Sequence, residues 1–476
     1  MPQFDTDTIC AIATSPGRSG VGIVRVSGPA ASDIAKHILG LTPKPRYAHY
    51  CDFLDQNQQT IDQGIALFFD NPHSFTGEDV LELQGHGGIH VLQSILSRVL
   101  NLGARLARPG EFSERSFINN KIDLLQAEAI ADLIDASSQQ AARSAIRTLQ
   151  GEFSKKIHKL VENLVKCRVN VEAAIDFSDE DIDVLSDTRV KESIQEIESE
   201  LDSTLGQAEQ GALLKEGIKV VIAGKPNAGK SSLLNALSGI ESAIVTDVPG
   251  TTRDVLSEEI AIDGLPVHIV DTAGLRHSED RVEQEGIRRA QQAIEEADQI
   301  LLLLDSSKLD SISEEAVENL LENFSLLNDK SIKELFLLEN TAIVLNKVDL
   351  IDSSSSSLNK LTIDNIEIPV IGLSAKNRTG LDGLREHLKM CCGYHASQES
   401  SFVARERHLL SLREAKTLID SALQHLDSGS ALELIAEDLR LAQSELGKIT
   451  GEFTSDDLLG EIFSNFSKLE GVAANR

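Results

Sequence analysis

Short apolar runs set off by Gly, Pro and Ser mark the N-terminal stretch: Ile9–Ala13, Gly22–Val26 and Ile65–Phe69 read as strands joined by turns, with a helix or two between them. This predicts an α/β domain over residues 1–120. From Lys121 the texture changes. Ile122, Leu125, Ala129, Ile130 and Leu133, then Ile157, Leu160, Val161 and Leu164, recur with a helical period and few breakers, so amphipathic helices are expected across 121–210. Between 211 and 383 strand-like runs (Lys219–Ala223, Val267–Val270, Ile300–Leu304, Ala342–Leu345, Val370–Leu373) alternate with helical segments, the rhythm of a mostly parallel sheet covered by helices. Helical texture returns over 384–476, with Leu432, Ile435, Leu439, Leu441 and Leu446 among charged residues. The expected fold is a multidomain α/β chain whose helical domain is interrupted by an inserted α/β domain. Ser353–Ser357 and the acidic stretch Asp176–Asp183 read as solvated loops, and Asp305–Leu338 as an elaborated helix and loop.

The inserted domain carries chemistry. Gly224-Lys-Pro-Asn227-Ala228-Gly229-Lys230-Ser231-Ser232 follows one strand run and opens a helix, the context a phosphate-binding P-loop needs. Its glycines let backbone amides turn toward phosphates, Lys230 supplies a cation to the β- and γ-phosphates, and Ser231 offers a hydroxyl to Mg²⁺. Thr246-Asp247-Val248-Pro249-Gly250-Thr251-Thr252 brings a second hydroxyl, from Thr252, and Asp271-Thr272-Ala273-Gly274 follows a strand with a carboxylate for a Mg²⁺ water and an amide for the γ-phosphate. Both segments are placed to respond to hydrolysis. Asn346-Lys347-Val348-Asp349 and Ser374-Ala375-Lys376 each follow a strand. The Asp349 carboxylate can accept from both N1–H and the N2 amine of guanine, a donor pair that adenine lacks, which selects GTP and GDP over adenine nucleotides.

Two gaps remain in a hydrolytic site so composed. The residue after Asp271-Thr-Ala-Gly274 is Leu275, which cannot polarise water, and Glu283 is the group expected to orient it. No arginine is evidently aimed at the phosphates. The Asn227 oxygen, with carbonyls from Thr246–Thr251, can instead hold a monovalent cation where such a charge is needed, which predicts stimulation by K⁺.

Composition narrows the field. With 45 Lys and Arg against 75 Asp and Glu, the formal charge of -30 disfavours broad electrostatic wrapping of nucleic acid, and with it a ribosome-assembly GTPase that uses a basic appendage. The five cysteines form neither a CxxC pair nor a zinc-like spacing, and no apolar run approaches the roughly eighteen residues needed to cross a bilayer. A soluble cytoplasmic protein without membrane contact is expected.

The chain resembles the MnmE (TrmE) family of tRNA uridine-modification GTPases over nearly its whole length. The likeness includes Ser15-Pro-Gly-Arg18-Ser-Gly-Val-Gly22-Ile-Val-Arg25, Ser74-Phe-Thr-Gly-Glu78-Asp-Val-Leu-Glu82-Leu-Gln-Gly-His86, Arg108-Pro-Gly-Glu-Phe-Ser-Glu-Arg115, Gln126-Ala-Glu-Ala-Ile-Ala-Asp132 and Gly451-Glu-Phe-Thr-Ser-Asp-Asp-Leu-Leu-Gly-Glu-Ile-Phe463. The resemblance implies an N-terminal domain that binds 5-formyltetrahydrofolate or a related tetrahydrofolate and mediates homodimerisation. It implies a flavin-dependent partner of the MnmG type and addition of aminomethyl or carboxymethylaminomethyl groups to the wobble uridine of certain tRNAs. By position it assigns folate contacts to Arg25, Glu82 and Lys121, potassium contacts to Asn227, Thr246, Val248 and Thr251, magnesium contacts to Ser231 and Thr252, and catalysis to Glu283. One departure stands out: the family ends Phe-Cys-Ile-Gly-Lys, whereas this chain reads Phe466-Ser467-Lys468, putting a hydroxyl where a thiol is expected.

Overall fold

The computed structural model describes residues 7–15, 17–136, 138–176, 187–225, 227–238, 257–271, 292–309, 311–322, 340–351, 358–363, 365–394, 402–429 and 431–452. The expected loops at 353–357 and 177–183, residues 323–338 of the expected helix and loop at 305–338, and the divergent C-terminus with Ser467 fall outside them. The chain divides into two compact units, one of residues 1–135, 145–204 and 407–476, the other of 136–144 and 205–406.

In the first unit, strands β1 (Ile9–Ile12), β2 (Ser19–Ser27), β3 (His49–Leu54), β4 (Thr60–Phe69), β5 (Val80–Gly87) and β6 (Arg105–Leu106) form a sheet in the order β3-β4-β5-β2-β1-β6. All pairs are antiparallel except β1 with β6. Helices α1 (Ala31–Leu39) and α2 (Ile89–Asn101) cover one face, where Val24, Val26, Leu81 and Leu83 meet Ile34, Ile38, Ile95 and Val99 in one core. Their spacings, two along the strands and three to four along the helices, are what place these side chains on a common face.

Beyond the sheet come α3 (Glu111–Ile118), α4 (Leu124–Ile134), α5 (Gln139–Leu149), α6 (Glu152–Asp176) and α7 (Asp187–Glu216). Asp123 starts α4 with a capping box: its carboxylate accepts from Gln126 N at 2.8 Å, and Gln126 Oε1 accepts from Asp123 N at 3.0 Å. The helices on either side of the second unit in sequence fall in this one unit. Within it, α6 packs along the helix Leu432–Thr450, and Arg407 grips the buried Glu128 of α4 with two bonds of 2.9 and 2.7 Å.

In the second unit, β7 (Ile218–Gly224) leads into α8 (Lys230–Ser238), followed by β8 (Ser257–Ile262), β9 (Leu265–Asp271), β10 (Gln299–Asp305), α9 (Glu314–Glu322), β11 (Thr341–Asn346), β12 (Lys360–Ile363), β13 (Ile366–Leu373) and α10 (Leu381–Cys391). The sheet order is β12-β13-β11-β10-β7-β9-β8, parallel from β13 to β9 and antiparallel at both edges. The edge strands β8 and β12 went unread in the sequence. The central strands were legible because a strand covered on both faces is apolar throughout: Ile300 to Leu304 are each no more than 2% exposed. At about 1.5–3 kcal/mol per buried side chain, such a strand is a major part of this core. The C-terminal part of α7 also belongs here. A Cβ on Gly211 would stand 1.7 Å from the Phe402 carbonyl oxygen, so only glycine permits that approach.

Candidate functional site

Three parallel strands, β7, β11 and β13, deliver their C-terminal ends to one place, the edge of an open α/β sheet where ligands characteristically sit. β7 ends at Gly224, and the chain loops through Asn227, Ala228 and Gly229 into α8. Asn227 and Gly229 both have positive φ, 66° and 100°. A Cβ at Gly229 would lie 2.2 Å from Asn346 Nδ2, so this glycine is required by both conformation and space. Lys230 Nζ curls back to donate to the Gly224 carbonyl at 3.2 Å, while Ser231 and Ser232 are exposed on the first turn of α8.

Asn346 ties this loop to the other motifs. Its Nδ2 donates to Ala228 O at 2.8 Å, and its Oδ1 accepts from Lys347 N at 2.8 Å and Ala375 N at 3.1 Å. Asn346 is 2% exposed, Ala228 2% and Ala375 5%, so the bonds from Asn346 to Ala228 and Ala375 are made away from water. Lys347, itself in the left-handed region at φ 67°, donates from Nζ to Asn227 O at 2.9 Å and pairs with Asp305 Oδ2 at 2.7 Å. Burial alone would raise the Asp305 pKa, but hydrogen bonds from Lys347 and Ser307 and the Lys347 charge hold it below the usual carboxylate value. Asp349 is exposed on a single 3₁₀ turn, and Ser374 is buried with its backbone bridged to Thr379.

These bonds join Asn227, Ala228, Asn346, Lys347 and Ala375 directly, with Gly229, Lys230, Ser231, Ser232, Asp349, Ser374 and Lys376 on the same segments. The backbone of β9 brings Asp271 opposite Ile222 of β7. Thr246, Asp247, Val248, Pro249, Gly250, Thr251, Thr252, Thr272, Ala273, Gly274 and Glu283 lie outside the described residues. Asp305 and Ser306 were missed from sequence. Ser306 Oγ, fully buried, donates to Asn346 O at 2.6 Å, and Asp305 anchors Lys347. Their signal was position: they follow immediately on the apolar run Ile300–Leu304, at the carboxyl end of a parallel strand.

In the first unit, Arg25 of β2 and Glu82 of β5 are directly paired in register, and Arg25 Nε donates to Glu82 Oε1 at 3.0 Å. The guanidinium lies 5.6 Å from the Phe112 ring centroid and 6.0 Å from that of Phe75. Ser116 Oγ bonds Phe75 O, and Lys121 Nζ bonds Pro72 O at 3.0 Å, so Lys121 reaches the same 72–77 loop. Close by, Glu111 is 1% exposed and accepts from Arg105, Arg115 and the Arg108 amide. Burial opposes its charge, but these donors hold its pKa below the ordinary glutamate value.

The described residues contain no helix long and apolar enough to cross a membrane, and all five cysteines are free. The family description of the MnmE helical domain matches residues 124–466, and that of the GTP-binding protein TrmE N-terminus matches residues 8–121. The tRNA modification GTPase MnmE of Hydrogenovibrio crunogenus is 56% identical over 465 residues, covering 98% of this chain and 99% of that protein. The protein of the same description from Coxiella burnetii is 54% identical over 460 residues, covering 97% and 98%. That from Stutzerimonas stutzeri is 55% identical over 460 residues, with the same coverage.

Proposed function

The chain belongs to the MnmE family of tRNA modification GTPases, and from that premise we propose a potassium-stimulated GTPase that acts with a flavin-dependent MnmG-type partner and a tetrahydrofolate one-carbon donor. Together they modify carbon 5 of the wobble uridine of certain tRNAs, adding aminomethyl or carboxymethylaminomethyl groups. The observation that carries the nucleotide half is the Asn346 side chain, which bonds the phosphate loop at Ala228 and the last motif at Ala375. One residue thereby fixes the distance between a phosphate cradle and a base reader.

In this reading Lys230 and the N-terminus of α8 take the β- and γ-phosphates, and the Ala228 and Gly229 amides line them. Asp349 reads guanine N1–H and N2, Lys347 lies along the base, and the Ala375 amide is shared between Asn346 and the guanine oxygen. The exposed Ser231 hydroxyl suits a Mg²⁺ ligand, joined by Thr252; a bound Mg²⁺ neutralises phosphate charge. Exposed Asn227, with Thr246, Val248 and Thr251, is assigned to K⁺, and Glu283 to orienting water. Asp271 and the 246–252 and 272–274 segments respond to the γ-phosphate.

Arg25, Glu82 and Lys121 are assigned to the folate. The donor set fits such a ligand: the Glu82 side chain is 16% exposed and retains acceptor capacity for ring N–H groups beside its pair with Arg25, and two phenylalanine rings flank the guanidinium. Homodimerisation and the flavin-dependent partner rest on the family resemblance. Five free cysteines accord with work in a reducing cytoplasm. The direct test is nucleoside analysis of tRNA from cells lacking this protein. Loss of the modified wobble uridine is expected; unaltered levels would overturn the assignment.

A further inference from the structure

Lys347 stands between the two halves of the nucleotide site. It follows β11 in the left-handed region, at φ 67°, and its ammonium donates at 2.9 Å to the backbone carbonyl of Asn227. A lysine of the base-reading segment is thereby seated on the loop residue whose side chain is assigned to K⁺. Its countercharge is the carboxylate of Asp305, with Oδ2 at 2.7 Å. The Lys347 side chain is 32% exposed and that of Asp305 20%, so water screens the pair only in part.

Asp305 is oriented independently of the lysine. It ends β10 in register with Asn346. Its Oδ1 accepts from Ser307 N at 3.1 Å and Ser307 Oγ at 2.6 Å, capping the 3₁₀ turn Ser306–Lys308. The next residue, Ser306, ties that turn to β11 through its buried bond to Asn346 O. One carboxylate oxygen is thus held by the turn while the other meets Lys347. The carboxylate places the ammonium, and not the reverse.

The charges around the site show what this placement achieves. Lys230 is answered by the phosphates when nucleotide binds, and Asp349 is committed to the guanine N–H groups. Guanine itself is uncharged, so the ligand brings no countercharge to Lys347. An unanswered ammonium on the Asn227 carbonyl would repel a second cation at the side chain of the same residue. We propose that Asp305 is a positioning residue of the GTPase site: by seating and neutralising Lys347 on the Asn227 carbonyl, it lets the Asn227 side chain take K⁺. The base-reading and cation-binding segments are then joined through Asp305, Lys347 and Asn227. This inference rests on the potassium reading of Asn227 and adds to it a group that acts through Lys347.

The test reads cation binding with and without turnover. Affinity of the full chain for a non-hydrolysable GTP analogue, with Mg²⁺ present, is measured by calorimetry as K⁺ replaces Na⁺ at constant ionic strength. GTP turnover is followed across the same series. Where K⁺ binds together with the nucleotide, affinity rises with K⁺ by linkage. The midpoint of the response is compared between variants, so a loss of nucleotide affinity common to both salts cancels. Asp305→Asn keeps the shape and a capping oxygen but removes the charge, and is expected to raise the midpoint by about fivefold. Lys347→Met removes the ammonium and is expected to lower the midpoint by about the same factor. General damage to the loop would move both midpoints in one direction. Opposite shifts uphold the proposal, and any other pattern in a parent that responds to K⁺ overturns the role of Asp305 while leaving potassium at Asn227. Should Asp305→Asn fold poorly, Lys347→Met decides alone, since a midpoint that does not fall overturns the proposal. A parent whose analogue affinity and turnover are both indifferent to K⁺ overturns the potassium reading itself, and this role with it.

Discussion

Asn346 Nδ2 donates to the carbonyl oxygen of Ala228 at 2.8 Å, across 118 residues of sequence. The residue expected to sit beside a base is thus also the clamp on the phosphate loop. In Asn346→Ala the Ala228 carbonyl and the Ala375 amide both lose a buried partner, at about 1–3 kcal/mol each. Part of that cost falls on the bound state, so affinity for GDP is expected to drop by at least about tenfold. Calorimetry on the purified variant measures it, and an unchanged dissociation constant would show that the clamp does not hold the nucleotide-binding form.

Base selection should reside in Asp349. Its carboxylate accepts two guanine donors, whereas an asparagine amide offers a donor to the carbonyl of xanthine. Asp349→Asn is expected to lose about two orders of magnitude or more in GTP affinity and to gain preference for xanthosine triphosphate. Competition between the two triphosphates against a fluorescent GDP analogue reads this directly; retained guanine preference would move base reading to another group.

Glu111 offers a test of the first unit. Its carboxylate, 1% exposed, answers Arg105 and the nearly buried Arg115, and its pKa is depressed in the folded chain. A depressed carboxyl contributes stability that is present in full above the unfolded value of about 4.3 and is lost as pH falls through the lower folded value. Glu111→Gln should therefore be less stable by about 3 kcal/mol at pH 7, with the gap to the parent closing below about pH 4. Urea unfolding across that range provides the comparison, and a gap that widened in acid would contradict the sign.

The parallel strands and the nucleotide motifs were readable because each depends on local patterning: Ile300–Leu304 is apolar throughout, and Gly229-Lys230-Ser231 must follow a strand and open a helix. The edge strands Ser257–Ile262 and Lys360–Ile363 were not, since each is short and half-covered, and its pairing is set by a hairpin partner rather than by its own pattern. The role of Asp305 was hidden for a similar reason. Nothing in its neighbourhood announces Lys347, which lies 42 residues on and meets it only when β10 and β11 pair.

Potassium dependence can be tested at Asn227 because of its backbone. At φ 66° it occupies a conformation that glycine adopts freely and that most other residues resist by about 1–2 kcal/mol. Asn227→Gly therefore removes the side-chain oxygen while leaving the loop, and the Lys347 bond to the Asn227 carbonyl, in place. Asn227→Ala would confuse the two effects by straining the loop. In the parent protein, GTP hydrolysis is expected to run at least about tenfold faster in K⁺ than in Na⁺ at equal ionic strength, given what a preorganised charge in a phosphoryl-transfer site contributes. In Asn227→Gly the two rates should converge on the Na⁺ value with GDP affinity little altered. Equal parent rates in the two salts would remove potassium from the mechanism, whereas a ratio preserved in the glycine variant would keep potassium and take its contact away from Asn227.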